Sequence, residues 1–225
     1  MNQDISKLNA AKKALQYINN GMTVGLGTGT TSTFAVDLLG QKLSADFQII
    51  GMATSHKTEK QAKGLGIKLI GIDETDEIDV AIDGADEVSP DLSLIKGLGG
   101  ALLREKKVEK KAKELIIIID ESKLVEKLGE GPLPIEIATK NHKRTQENIA
   151  NLGCSVELRI EPDAVPFVTD NGNYICHCKF ENGISKPKEL DSKLMNISGV
   201  IDTGLFIDMA TKIIVGSPNG TKIID

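Results

Sequence analysis

Apolar positions along the first half of the chain follow two alternating rhythms. Residues 5–19 place them at helical spacing, and residues 22–27 follow as a short apolar run that ends in a glycine-rich turn. The exchange then repeats. Residues 32–43 read as helix, 47–52 as strand, 55–63 as a helix closed by Gly64, and 67–72 and 79–82 as strands. Residues 101–114 predict a helix, and residues 115–119, Leu-Ile-Ile-Ile-Ile, predict a strand with no solvated face. Strands that are apolar throughout and separated by helices imply an α/β fold. The expected form is Rossmann-like, a mostly parallel sheet with helices on both faces.

The pattern changes after Gly129. Gly131-Pro132-Leu133-Pro134 is a stiff connector, and beyond it come a strand at 135–138, a helix at 142–152 and a strand at 155–160. A hairpin is expected at Asp170-Asn171-Gly172-Asn173, because Asn-Gly favours the positive φ of a tight turn. Strand 174–180, helix 188–195 and strand 200–207 complete a small α+β unit of the split βαβ, ferredoxin-like kind. Strands at 213–215 and 222–224 are expected to return to the first sheet. The organisation implied is a Rossmann-like catalytic domain over 1–130 and 208–225, with a small α+β domain over 131–207.

Composition narrows the function classes. The 225 residues are 40% hydrophobic and 26% charged, which suits a globular chain with one large unit and a smaller one. Trp is absent and aromatics make up 3%, so the core is aliphatic and few side chains could stack on nucleic-acid bases. The net charge of -5 and the mixing of signs argue against a nucleic-acid surface. The most basic stretch, Lys106 to Lys113, is interrupted by Glu109 and reads as a solvated helix face. Three cysteines, Cys154, Cys176 and Cys178, form no disulfide framework and point to a reducing compartment. With no apolar leader-like segment in residues 1–21 and no run of about 18 apolar residues, the expectation is a soluble, cytoplasmic protein without a membrane partner.

Three polar clusters fall at strand ends, where ligands bind in open parallel sheets. Gly25-Leu26-Gly27-Thr28-Gly29-Thr30-Thr31 lies between a strand and a helix. Its glycines allow close backbone approach, the helix start offers N–H donors, and Thr28, Thr30 and Thr31 add hydroxyls. It reads either as a phosphate cradle or as a tight turn with an N-cap threonine. It lacks the Gly-Lys-Ser/Thr of a nucleotide loop and the third glycine of a dinucleotide fingerprint. Asp83-Gly84-Ala85-Asp86-Glu87 gathers three carboxylates that could bind sugar hydroxyls or a metal, or form an exposed acidic turn. Lys96-Gly97-Leu98-Gly99-Gly100-Ala101 opens the helix that carries Glu105. Glu105 shares a helical stripe with Ala101, Val108, Ala112 and Leu115, while Arg104, Lys106 and Lys107 are expected to point elsewhere. A carboxylate on such a face is desolvated, which suits a general base; the alternative is a glutamate favoured by the helix dipole, but such a residue more naturally lies on the polar side. Cys176-His177-Cys178 is not read as a metal site, because strand alternation sends His177 to the opposite face. His56 and His142 are expected at the surface.

Taken together these motifs resemble the A-type ribose-5-phosphate isomerases. The resemblance also takes in Arg104-Glu105-Lys106, Asp120-Glu121-Ser122-Lys123, Pro132-Leu133-Pro134-Ile135-Glu136, Thr169-Asp170-Asn171-Gly172-Asn173 and Thr203-Gly204-Leu205-Phe206, and it covers essentially the whole chain. Leu98 stands where the family often has Gly or Arg, and a positive φ there would be unfavourable for Leu. The resemblance implies an aldose–ketose isomerase that interconverts ribose 5-phosphate and ribulose 5-phosphate through an enediolate. It implies no metal or cofactor, a homodimer or higher homo-oligomer, and a place in the non-oxidative pentose phosphate pathway. By the same resemblance Glu105 is the base, Asp83 assists ring opening, Asp86 binds a hydroxyl and Lys96 stabilises the enediolate. Substrate-binding positions are implied at Thr28, Gly29, Thr30, Thr31, Asp83, Gly84, Ala85, Asp86, Lys96, Gly97, Leu98, Gly99 and Lys123. A sugar-phosphate-sensing binding domain would keep the first loop and lose the base. A lactonase or CoA transferase of related fold is a further alternative.

Overall fold

The computed structural model describes residues 2–225. In chain order the elements begin with α1 (Asn2–Ala14), β1 (Thr23–Leu26), α2 (Thr30–Lys42), β2 (Ile50–Ala53), α3 (His56–Gly64), β3 (Lys68–Leu69) and β4 (Ile78–Asp83). Then come β5 (Glu87–Val88), β6 (Leu94–Ile95), α4 (Leu102–Glu109), β7 (Ala112–Asp120), β8 (Leu133–Ile137), α5 (His142–Ala150) and β9 (Ser155–Leu158). The last are β10 (Tyr174–Lys179), α6 (Pro187–Met195), β11 (Val200–Thr203), β12 (Leu205–Phe206), β13 (Lys212–Ser217) and β14 (Gly220–Ile224). They form two compact units.

The first unit runs up to Ala85 and adds Arg104–Lys123 and Met209–Asp225. Its seven-stranded sheet has the order β14-β13-β7-β4-β1-β2-β3, parallel except for β14. The run at Leu115 to Ile119 is buried on both faces, as an all-aliphatic strand requires. Each such side chain contributes roughly 1.5–3 kcal/mol as an upper bound. On one face Ala10, Ala11 and Ala14 of α1 pack with Val36 and Leu39 of α2 over Val24, Ile82, Ile116 and Ile214. Small residues bring α1 close to the sheet: a methyl group at Gly216 would overlap the Ser6 carbonyl.

The second unit comprises Asp86–Leu103 and Leu124–Asp208. Its four-stranded antiparallel sheet has the order β11-β8-β10-β9, with the connection β8-α5-β9-β10-α6-β11. That is the split βαβ arrangement read from the sequence. Ile135, Ile137, Ile149, Leu194, Cys176 and Cys178 fill its core. A separate small sheet joins β12, β6 and β5. Where the sequence set the smaller unit at 131–207, the structure groups 86–103 with it, because Leu205 and Phe206 pair with Ile95 and Leu94.

Three local expectations change. The helix expected over 101–114 stops at Glu109, because Ala112 pairs with Ile78 and starts a strand, with Lys111 bonded to the Thr75 carbonyl. Ala112 and Leu115 therefore belong to β7 and not to the helical stripe of Glu105. Lys107, Lys110 and Lys113 of the basic stretch are exposed as expected, but Lys106 and Glu109 are buried and Lys106 does not point outward. The single strand expected at 200–207 breaks at Gly204, whose N–H bonds to Pro134 and where a side chain would overlap the Lys96 carbonyl.

Glu136 of β8 is fully buried, and one of its oxygens accepts from Thr169 Oγ1 (2.9 Å), Asn173 Nδ2 (2.9 Å) and Asn171 Nδ2 (3.4 Å). This ties the Asn-Gly hairpin to the sheet. Burial holds its carboxyl above the ordinary value of 4.5 despite the hydrogen bonds from Asn173, Thr169 and Asn171. A raised native pKa gives a stability contribution that is complete below the unfolded pKa and lost as pH rises through the native one. Melting temperatures of wild type and Glu136→Gln between pH 4 and 8 are therefore expected to diverge. Wild type loses ground to the variant as pH climbs above about 4.5.

Candidate active site

The strand order of the first unit places β1 between β2 and β4. Chain connections leave β1 on one side and return at β4 on the other, so the sheet has a switch point at the carboxyl ends of these two strands. Gly27 follows β1 and Asp83 ends β4. Asp83 is buried, and its Oδ1 accepts from the Thr28 N–H (2.9 Å), the Ser32 hydroxyl (2.9 Å) and the Gly84 N–H (2.7 Å). A methyl group at Gly27 would overlap that carboxylate, and one at Gly25 would lie 2.8 Å from Ala81 Cβ. These two glycines let β1 and its loop lie against β4. Gly29, with φ 115°, starts the 13-residue helix α2.

The loop threonines divide. Thr28 Oγ1 turns into a cluster of hydroxyls, 2.7 Å from Thr54 Oγ1, 2.8 Å from Ser55 Oγ and 3.1 Å from Thr58 Oγ1. Thr30 lies at the exposed start of α2 and accepts from Lys7 Nζ of α1 at 3.0 Å. Thr31 is half-buried beside it. Glu105, on α4, is 4% exposed; Val108 of the same helix is buried, and so is Ala101 just before the helix starts. Lys123 follows β7 in a short helical turn. Just before it, burial pushes the Asp120 carboxyl up, but hydrogen bonds from Ser122 and Gln3 and the Lys123 charge outweigh that and hold it below the usual range.

The second unit carries Asp86 and the loop Lys96–Gly100. Gly97 and Gly100 have φ of 99° and 87°, and the Gly100 N–H closes the turn on the Gly97 carbonyl at 2.9 Å. Leu98 takes no positive φ, so the residue fits its place. Asp86 Oδ2 accepts the Leu98 N–H at 2.9 Å, and the Arg159 guanidinium donates to the Leu98 carbonyl at 3.0 Å. Lys96 is 2% exposed, its Nζ 5.4 Å from the centre of the Phe206 ring. Glu87 has a different role from Asp83 and Asp86: it accepts the N–H groups of Gly129 (2.6 Å) and Gly131 and secures the connector. His177 lies opposite the buried Cys176 and Cys178, half-buried, and burial and the Arg159 charge hold its imidazole below the usual histidine range.

Residues 50–220 match the family model of ribose 5-phosphate isomerase A (phosphoriboisomerase A). The chain belongs to the ribose 5-phosphate isomerase A family. A Bacillus mycoides ribose-5-phosphate isomerase A is 50% identical over 213 residues, which span 95% of this chain and 96% of the relative. One from Gloeobacter violaceus is 44% identical, with 100% and 97% covered. A solved D-ribose-5-phosphate isomerase in complex with phospho-erythronic acid superposes with a TM-score of 0.96 at 41% identity and 100% coverage of both chains. The Plasmodium falciparum ribose 5-phosphate isomerase gives 0.93 at 36% identity, covering 98% of this chain and 97% of that one. The chain is an isomerase of ribose 5-phosphate, and a sensing domain without catalysis is not favoured.

Sequence reasoning within this family pattern missed several contributors. Ser32 sat inside the threonine run without separate notice. Thr54, Ser55 and Thr58 hold the Thr28 hydroxyl, and their strand-end position next to a helix start was the available signal. Nothing in the spacing marked Lys7 or Arg159. Gly27→Ala is expected to push Asp83 off its three donors and lower kcat/KM for ribose 5-phosphate at least about 100-fold. Its melting temperature is expected to fall, because the added Cβ would also lie 2.6 Å from Asp83 Cα, and the assay is steady-state conversion to the ketose below that temperature.

Proposed function

We propose that Glu105 is the base of this isomerase, taking the C2 proton of open-chain ribose 5-phosphate and returning it to C1. The electron pair of the broken C2–H bond becomes the C1–C2 double bond as the C1=O π pair moves onto O1, giving an enediolate. With the O2 proton passed to O1, the O2 pair forms the C2=O of ribulose 5-phosphate as the double-bond pair takes the proton at C1. Asp83 assists ring opening and the transfer of the hydroxyl proton between O2 and O1. Asp86 binds a sugar hydroxyl, and Lys96 lowers the energy of the enediolate oxygen. Thr28, Gly29, Thr30, Thr31, Gly84, Ala85, Gly97, Leu98, Gly99 and Lys123 complete the substrate contacts.

The observation that carries this reading is the burial of Glu105 at 4% exposure, on the helix that also buries Val108. A carboxylate withdrawn from water is the kind that trades protons with carbon acids. For the phosphate, the Lys7–Thr30 contact at the start of α2 supports a cation, a hydroxyl and helix N–H groups acting together. Among the described residues no helix is long and apolar enough to cross a membrane, and the absence of a disulfide framework supports a cytoplasmic setting. The family pattern supports a homodimer and a place in the non-oxidative pentose phosphate pathway.

Glu105→Gln is expected to reduce kcat about 1,000-fold or more while calorimetric binding of ribose 5-phosphate stays within a few fold. Near-normal turnover in that variant would refute the assignment of the base. Lys7→Ala is expected to raise KM roughly tenfold with kcat changed by less than threefold, as loss of an interaction uniform along the reaction path requires. A fall in kcat alone would remove Lys7 from the phosphate site.

A further inference from the structure

The loop after β6 reads Gly97-Leu98-Gly99-Gly100, three glycines in four residues. Such a segment has little to fix its peptide planes from within, since glycine adopts either sign of φ readily. It is held from outside at Leu98, through main-chain atoms. The N–H of Leu98 goes to Asp86 Oδ2 at 2.9 Å and its carbonyl accepts from Arg159 Nη1 at 3.0 Å.

Arg159 is itself well placed to hold. Its own N–H bonds to the Ile175 carbonyl at 2.8 Å and its carbonyl accepts the Phe167 N–H at 3.0 Å, so residues 159 and 167 face each other on adjacent extended segments. The guanidinium lies 3.7 Å from the centre of the Phe167 ring, which fixes its plane. Together they occupy the space a side chain at Gly100 would need: a methyl group there would lie 2.5 Å from Phe167 and 3.1 Å from Arg159 Nη1. The loop backbone therefore rests on a plate formed by one guanidinium and one ring. The direction of the next donor follows from geometry. Peptide bonds among the described residues are all trans, and in a planar trans peptide the C=O and N–H point opposite ways. With the Leu98 carbonyl fixed on Arg159, the Gly99 N–H points away from the guanidinium.

We propose that Arg159 is a positioning residue of the isomerisation: by holding the Leu98 carbonyl it orients the Leu98–Gly99 peptide so that the Gly99 N–H donates to the enediolate. This rests on the reading of Lys96 to Gly99 as a substrate loop. Phe167 supports Arg159 by stacking, and neither side chain touches the sugar. Loss of the guanidinium lets the peptide flip and removes a donor aimed at developing charge, the kind of contact whose loss costs about 100-fold or more when complete.

The test is steady-state kinetics of Arg159→Ala and Arg159→Lys in the full chain with ribose 5-phosphate. It is paired with inhibition by phospho-erythronic acid, whose carboxylate stands in for the enediolate oxygens. For Arg159→Ala we expect kcat lower by about ten- to a hundredfold, KM within threefold, and phospho-erythronic acid weakened by a factor similar to that in kcat. The melting temperature is expected to move by only a few degrees. Arg159→Lys, which keeps a donor, recovers part of the rate. Turnover within twofold of wild type in Arg159→Ala overturns the proposal. So does a loss that follows a collapsed melting temperature and is not eased by Lys. Gly99→Pro, which deletes the N–H itself at a site where an added Cβ meets nothing within 4 Å, tests the underlying loop reading. Wild-type turnover in Gly99→Pro removes that reading and the proposal with it. A loss there combined with wild-type Arg159→Ala removes only the role of Arg159.

Discussion

Asp83 Oδ1 accepts three hydrogen bonds, from the loop after β1, from the first turn of α2 and from the residue that follows it in the chain. The two strands at the switch point thus share one acceptor oxygen, and the helix start is tied to it as well. Three donors converging on that oxygen hold the loop, the helix start and the end of β4 in one register. The glycines around it follow from that demand. Gly27 leaves space for the carboxylate, and Gly25 lets β1 lie against β4. The aliphatic sheet behind them supplies the stiffness: with Ile116, Ile117 and Ile118 all buried, β7 can hardly shift without opening voids on one face or the other.

Much of this was legible in the chain. The aliphatic run ending at Ile119 announced a two-sided parallel sheet, and the Asn171-Gly172 pair announced the hairpin, where Gly172 has φ 77°. Gly-rich loops beside carboxylates marked the positions proposed for the site. What failed was governed by partners far away in sequence. The helix of Glu105 was read too long because Lys110 to Glu114 has good helical propensity, and only the pairing of Ala112 with Ile78 turns it into strand. Two-residue strands such as β5 and β6 hold too few side chains to show a period. Lys106 looked like a surface lysine because charge suggests exposure, yet it is buried. The contact of Arg159 with Leu98 was invisible because it spans 61 positions in the chain.

The two glycine-rich loops solve one problem in different ways. The first, after β1, is organised by hydroxyls. Thr28, Thr54, Ser55 and Thr58 share short contacts, so the loop is braced from beneath by neutral groups able to donate and accept in turn. The second, after β6, is braced by charge, with a carboxylate on one side of Leu98 and a guanidinium on the other. Neutral bracing tolerates small rotations of each hydroxyl. Charged bracing is more directional, because a planar guanidinium stacked on a ring offers its donors along fixed lines.

Because both main-chain groups of Leu98 are engaged, its side chain is not what holds the loop in place. The backbone path at position 98 is therefore set by Asp86 and Arg159, and a change of side chain there leaves both of those main-chain bonds in place.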